Sequence, residues 1–468
     1  MNIEQIYTKC LAQGAYYIES KGEVAIIDPL RETAPYIERM QSHGAEIKYI
    51  FETHFHADFV SGHVDLANKT GATIVFGPNA APSFPHHSAH DQEEFRIGEL
   101  TLTVLHTPGH TMESSCFLLR NAEGKDVAVF TGDTLFIGDV GRPDLAQKSA
   151  DITQEELAGL LFDSLRSKLM VLDDDVIVYP AHGAGSACGK NMSNETFSTI
   201  GVQKTSNYAL SADMLKADFI AELIDGLLPP PQYFGMNVQM NKTGYASIDE
   251  VLNRGLKSLE LTVFTDLLSN QDVILLDTRS ADQFAEGFIP GSIFIGLEGQ
   301  FAPWVGALIP TDDQKLILLT ESGKERETVQ RLARVGYDHV LGYLEGGFDT
   351  WLAASNDIDT VGRIEVEGFM NLNFEQECIV DVRKPGEYES SHLTVARSLP
   401  LDFIKENIQD YPKNTPLLLH CAGGYRSMIA ASILKRNGFN VVDDLIGGYR
   451  GLPESFELRT DFVCPSKL

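Results

Sequence analysis

The chain has 468 residues, 43% hydrophobic and 22% charged, an ordinary globular composition with length for about three domains. Lys and Arg together number 37 against 66 Asp and Glu, a formal charge of −29. That excess of acid disfavours nucleic acid and anionic membrane surfaces as partners, because both require clustered cations. The opening MNIEQIYTKCLAQGAYY lacks a basic segment followed by an apolar run, so it reads as mature sequence. No stretch reaches about 18 uninterrupted apolar residues, so no membrane span is expected. Six cysteines without a CxxC pair do not form a disulfide framework; reduced thiols at 10, 116, 188, 378, 421 and 464, in the cytoplasm, are expected.

In chain order, VAIID (24–28), IKYIFET (47–53), LTVLHT (102–107), VAVFTGD (127–133) and VIVYPAH (176–182) read as buried strands. Each ends in a polar, metal-capable residue. Thr153 and Glu156 form a capping-box pattern for a helix whose apolar face is Leu157, Leu160, Leu161, Leu165 and Leu169. The segment LLPPPQYFG (227–235) cannot lie inside a helix and marks an approaching boundary, placed at about residue 254 because the intervening stretch holds little core material.

An internal repeat follows. VILLDTRSADQFAEGFIPGSI (273–293) matches CIVDVRKPGEYESSHLTVARSLP (378–400), with Asp381 lying 104 residues after Asp277. LILLTESGKERE (316–327) and LEGGFDTWL (344–352) recur 100 and 101 residues later as PLLLHCAGGYRS and LIGGYRGL. Near-constant offsets over three blocks predict two tandem α/β domains with parallel sheets, at 258–357 and 360–468, behind a first domain at 1–254.

The sharpest cluster is Thr53-His54-Phe55-His56-Ala57-Asp58, followed by His110 in TPGHT, Asp133 in TGDTLF and His182 in YPAHG. All stand at carboxyl ends of apolar runs, where α/β folds place ligands, and imidazole with carboxylate suits Zn, Fe or Mn. HHSAH (86–90) has no preceding strand and is expected to be an exposed loop. In the second repeat, Cys421 opens a loop, C-A-G-G-Y-R, that runs into a helix. Its glycines Gly423 and Gly424, with Tyr425, would turn backbone N–H groups inward, and with Arg426 and the helix dipole they would stabilise a sulfur anion. The first repeat has Glu321 at the cysteine's place, which predicts a non-catalytic copy serving as spacer or docking surface.

The order THxHxD, GHT, GD and a late His resembles the metallo-β-lactamase superfamily over about the first 230 residues, which implies an αβ/βα sandwich. Dinuclear members such as glyoxalase II carry a His where this chain has Phe59, so one metal is favoured. Similarity to the persulfide dioxygenase branch implies one Fe(II) per chain on His54, His110 and Asp133, with His56, Asp58 and His182 orienting ligands or water. That branch usually keeps the His as well, so a zinc site stays open. The segment GRPDL (141–145) resembles one that helps hold the thiol carrier in the dioxygenases, and HGAGSACGK (182–190) resembles a loop of persulfide dioxygenase–rhodanese fusions. By that likeness Arg142 would hold a carboxylate unless it pairs with Asp144. Lys190 would help bind substrate, and Cys188 would relay a persulfide or simply pack. The Cys421 loop resembles the rhodanese active site, over roughly 360–460; related phosphatases usually have a loop one residue longer.

Together these imply oxidation of a glutathione- or coenzyme A-type persulfide by O2 to sulfite, with Cys421 passing sulfane sulfur to give thiosulfate, in a homo-oligomer. A glyoxalase-II-like zinc thioesterase fused to a rhodanese is the alternative.

Overall fold

The computed structural model describes residues 1–145, 152–190, 192–227, 229–310, 314–413 and 415–463; Cys464 and Leu228 of the proline-rich segment fall outside them. The described residues form two compact units, 1–250 with 332–337, and 251–331 with 338–468.

The first unit stacks two six-stranded mixed sheets. One runs Asn2–Thr8, Gln13–Ser20, Glu23–Ile27, Glu46–Glu52, Thr73–Phe76 and His87–Ser88 in that order. The other is Ser198–Thr199, Ile177–Pro180, Asp126–Gly132, Ser115–Arg120, Leu100–His106 and Glu94–Ile97. Alternation along the strands divides the apolar residues between two faces. Ile18, Phe51, Val75, Val104, Phe117 and Phe130 meet between the sheets. Ile26, Ile50 and Ile74 face an outer layer containing Tyr36 and Leu66, and Leu118, Val129 and Val178 face Leu157, Leu161, Leu165 and Phe219. The result is the expected αβ/βα sandwich. The Thr153–Glu156 capping box is present at the helix Gln154–Ser164, where it satisfies two amides and contributes about 1 kcal/mol. Its predicted apolar face is buried except for half-buried Leu160. The segment 86–90 is not simply a loop: His87–Ser88 adds the edge strand beside Thr73–Phe76.

In the second unit two five-stranded, all-parallel sheets repeat one order. The first is Ser258–Leu259, Val340–Leu344, Lys315–Leu319, Val273–Asp277 and Ile293–Phe294. The second is Gly362–Ile364, Val442–Leu445, Leu417–His420, Cys378–Asp381 and Ala396–Ser398. Asp277 pairs in register with Leu319, and Asp381 with His420. The repeat read in sequence is therefore a repeat of topology and of register.

Candidate functional site

Four strand ends of the first unit converge on one buried polar cluster. Thr53–Asp58 leaves the strand Glu46–Glu52, His110 follows Leu100–His106, Asp133 follows Asp126–Gly132, and His182 follows Ile177–Pro180. Ligand atoms of His54, His110 and Asp133 lie within 4.8 Å of one another. Asp133 Oδ2 is 3.9 Å from His54 Nε2 and 3.5 Å from His110 Nε2. Backbone and hydroxyl partners fix both tautomers. His110 Nδ1 donates to the Arg142 carbonyl at 2.7 Å. Thr53 Oγ1 gives its proton to Asp28 Oδ2 at 2.8 Å, so at 3.0 Å it accepts from His54 Nδ1. Each Nε2 is thus left with its lone pair toward Asp133. Burial, helped by His56, His110 and His182, holds His54 well below the usual imidazole range, which favours the neutral ligand form.

Buried polar atoms without partners are costly, and His110 Nε2 and both Asp133 oxygens have none. A cation between them would satisfy all three, so the donor set fits a metal. The backbone allows this closeness only because residue 141 is glycine: a Cβ there would lie 2.1 Å from the Asp133 carbonyl oxygen and 2.9 Å from His110 Nδ1.

His56, Asp58 and His182 form a second group within 4.8 Å. His182 Nε2 is 3.5 Å from Asp58 Oδ2 and 3.6 Å from Asp133 Oδ1. His56 Nε2 instead faces two carboxylates that sequence reading had not assigned, Asp28 Oδ1 at 3.0 Å and Glu52 Oε2 at 3.6 Å. Their only sequence signal is a position at the end of a buried strand. Burial would lower both imidazoles, but Asp28 holds His56, and Asp58 with Asp133 holds His182, at about 9. Phe59 is fully buried, its ring centroid 4.3 Å from that of His56 and 6.3 Å from that of His182. It supplies an apolar wall and no ligand. The buried Cys188 joins Asp133 and His182 within 4.8 Å. Burial and the carboxylates Asp58 and Asp133 push its thiol well above the ordinary range, which favours the protonated form.

Two residues expected to bind substrate are engaged elsewhere. The carboxylate that Arg142 meets is Asp144's own, at 2.6 and 2.7 Å, with Nη1 on the Ala187 carbonyl. Lys190 Nζ caps the helix Lys216–Ile224 through the carbonyls of Glu222, at 2.8 Å, and Asp225.

In the second unit Cys421 is 1% exposed at the end of the strand Leu417–His420. Its Sγ accepts from the Gly424 amide at 3.1 Å and from Ser427 Oγ at 3.5 Å. Gly424 has φ 98°, a left-handed conformation open to glycine, and caps the helix Tyr425–Arg436. A sulfur anion is therefore met by amide, hydroxyl and helix N-terminus. Two residues of the loop also have partners outside it. Tyr425 Oη points away and donates to the Gly296 carbonyl at 2.7 Å. Arg426 pairs its fork with Glu387, at 2.5 and 2.8 Å, and Cys421 is among the groups that favour its charged form. In the first repeat Glu321 lines a cavity of 890 Å³ with Glu286, Glu325 and Asp349.

A family model described as the metallo-beta-lactamase superfamily matches residues 9–182, and one for the rhodanese-like domain matches 260–354 and 366–453. A solved structure titled metallo-beta-lactamase from Staphylococcus aureus subsp. aureus COL is 31% identical. That alignment covers 74% of this chain and 99% of the other, with TM-score 0.65. Hydroxyacylglutathione hydrolase of Tolumonas auensis is 35% identical over 171 residues, 36% of this chain. The chain spans only 60% of that hydrolase's length. The human mitochondrial persulfide dioxygenase ETHE1 is 29% identical over 222 residues, 47% of this chain and 78% of that protein. Among the described residues no helix is long and apolar enough to cross a membrane.

Proposed function

This chain belongs to the metallo-beta-lactamase superfamily and carries two rhodanese-like domains, and from that premise we propose that it oxidises a low-molecular-weight thiol persulfide to sulfite and transfers sulfane sulfur through Cys421. The chain divides for this purpose at 1–254, 258–357 and 360–468. The oxidation balances as one persulfide R–S–SH, one O2 and one water giving one thiol, one sulfite and two protons. His54, His110 and Asp133 would hold one Fe(II), which supplies the O2 and sulfur redox chemistry when bound and has positions left open by a two-His, one-carboxylate set.

The rest belongs to the chain. Asp28, through Thr53, and the Arg142 carbonyl hold the two imidazoles with Nε2 inward. Phe59 replaces a polar ligand with an apolar wall beside His56, which keeps water from that side of the centre. In the second unit the Cys421 thiolate attacks the outer sulfur of R–S–SH, the S–S bond breaks, and the carrier leaves as a thiolate. Sulfite then takes that outer sulfur from Cys421, giving thiosulfate and returning the Cys421 thiolate. The Gly424 amide and Ser427 hydroxyl stabilise the anion at both ends of the cycle.

The observation that carries this reading is the donor set: His54, His110 and Asp133 bring two imidazoles and one carboxylate within 4.8 Å of one another, and Phe59 beside them offers no donor for a second hydrolytic metal. The likeness to hydroxyacylglutathione hydrolases supports the alternative, a zinc thioesterase fused to a rhodanese. Oxygen uptake by the Fe(II)-loaded chain on adding glutathione persulfide, with a zinc-loaded control, separates them. Uptake and sulfite with iron alone are expected. No uptake with either metal, together with S-lactoylglutathione hydrolysis by the zinc form, would sink the dioxygenase.

A further inference from the structure

Beside the Cys421 loop opens a cavity of 640 Å³, lined among others by Ala422, Arg450, Glu454, Asp461 and Phe462. Its root is tied to the loop: the Tyr449 amide donates to the Cys421 carbonyl at 2.7 Å, and the Arg450 amide to that of Ala422 at 3.1 Å. Gly448 permits this, since a Cβ there would sit 2.4 Å from the Cys421 carbonyl oxygen. The other two arginines in the wall are occupied. Arg383 is bound to Asp381, and Arg459 donates to the carbonyls of Leu452 and Pro453; both guanidiniums lie over the Tyr449 ring, at 4.1 and 4.3 Å. Glu387 is taken by Arg426. Among the described residues lining it, the charged side chains left without a partner are Arg450, Glu454 and Asp461. Phe462, 72% exposed, adds an apolar rim.

A small oxyanion needs neither this volume nor two carboxylates. The volume lies within the roughly 300–1,000 Å³ of sites that hold whole organic ligands. Unspent charges of both signs match a zwitterion. A phosphate-rich carrier would be repelled by Glu454 and Asp461. At the matching place the first repeat has Asp349, in the cavity whose nucleophile position is Glu321, so the two mouths differ in charge there.

We propose that this cavity docks the carrier of a peptide-like, zwitterionic thiol persulfide, with Arg450 taking a carboxylate and Glu454 and Asp461 facing the ammonium. The inference rests on the sulfur-transfer reading of Cys421. It makes Arg450 a specificity determinant of the loading step, in which Sγ of Cys421 takes the outer sulfur and the carrier leaves as its thiolate.

The test is anaerobic loading of the zinc-loaded full chain, followed as the mass gain of one sulfur on Cys421, with glutathione persulfide, coenzyme A persulfide or thiosulfate as donor. Arg450→Gln should raise the half-saturating concentration of glutathione persulfide about tenfold or more, the worth of one charge-assisted hydrogen bond, and leave that of thiosulfate within about twofold. Arg450→Lys should recover part of the loss. Arg450 is exposed, so neither change disturbs a core. An equal rise for thiosulfate, no rise for either donor, or tighter saturation by coenzyme A persulfide would overturn the assignment while leaving sulfur transfer standing. Failure of every donor to load Cys421 would remove the sulfur-transfer reading and this inference with it.

Discussion

The two halves of the second unit share a frame and differ at the mouth. In each, an aspartate at the end of a central strand holds an arginine two residues on, Nη2 to Oδ2 at 2.6 Å. The same nitrogen reaches a carbonyl, Gly287 at 2.9 Å or Ser391 at 2.8 Å, and the guanidinium lies 4.1 Å over Phe348 or Tyr449. At the loop the resemblance ends. The Gly424 amide points at Cys421 Sγ, whereas the matching Lys324 amide is spent on the Glu321 carbonyl at 3.0 Å. The aspartate–arginine–aromatic stack is common to both halves, and the direction of one amide separates them.

The largest effect that sharpens this contrast is on turnover. Cys421→Ser should abolish thiosulfate formation, because a hydroxyl cannot carry sulfane sulfur. Glu321→Cys should give no transferase activity in return, since its loop lacks the inward amide. Measurable sulfur loading of a cysteine at 321, read by mass spectrometry, would break the contrast. Next in size are the matched substitutions Asp277→Asn and Asp381→Asn. Each strands a buried guanidinium, at a cost of about 3–5 kcal/mol in chemical denaturation. Similar losses are expected in the two halves. A large loss in one and none in the other would mean that the shared frame is not shared in energy.

Much of this was legible because the relevant residues end apolar runs. His54, Asp133 and His182 follow strands whose burial pattern is plain in sequence, and the candidate metal ligands inherit their positions from the sheet. The repeat was legible through its near-constant offsets. Partner choice was not. Arg142 two residues before Asp144 is equally consistent with a substrate grip and with a local pair, and proximity along the chain decided it. Lys190 and Tyr425 found carbonyls of Glu222 and Gly296, which lie far away in sequence. Asp28 and Glu52 looked like ordinary strand ends until His56 was placed between them. Arg450 lies in the repeat block LIGGYRGL, but nothing in that block ties it to Cys421; the backbone bonds to the Cys421 loop are created by the tertiary fold.

The smallest predicted effect concerns a residue that the halves do not share. Asp444 is buried beneath the Cys421 loop, where the first repeat has Tyr343. Its carboxyl faces Ser427, Arg363 at 3.7 Å and, further off, Asp282. Burial raises it to about 7, against a partial offset from Ser427 and Arg363. The folded state then holds this proton more tightly than the unfolded chain, whose carboxyl titrates at about 4. Stability from this site is complete below about pH 4, declines as pH rises toward 7, and stays low above it. Asp444→Asn should therefore match wild type near pH 4 and exceed it near pH 8, by at most about 4 kcal/mol for a shift of roughly three pKa units. Denaturation midpoints at the two pH values measure the difference. An advantage that does not grow with pH would mean that Asp444 ionises in the folded state without penalty, and that Arg363, rather than burial, governs the floor of the second mouth.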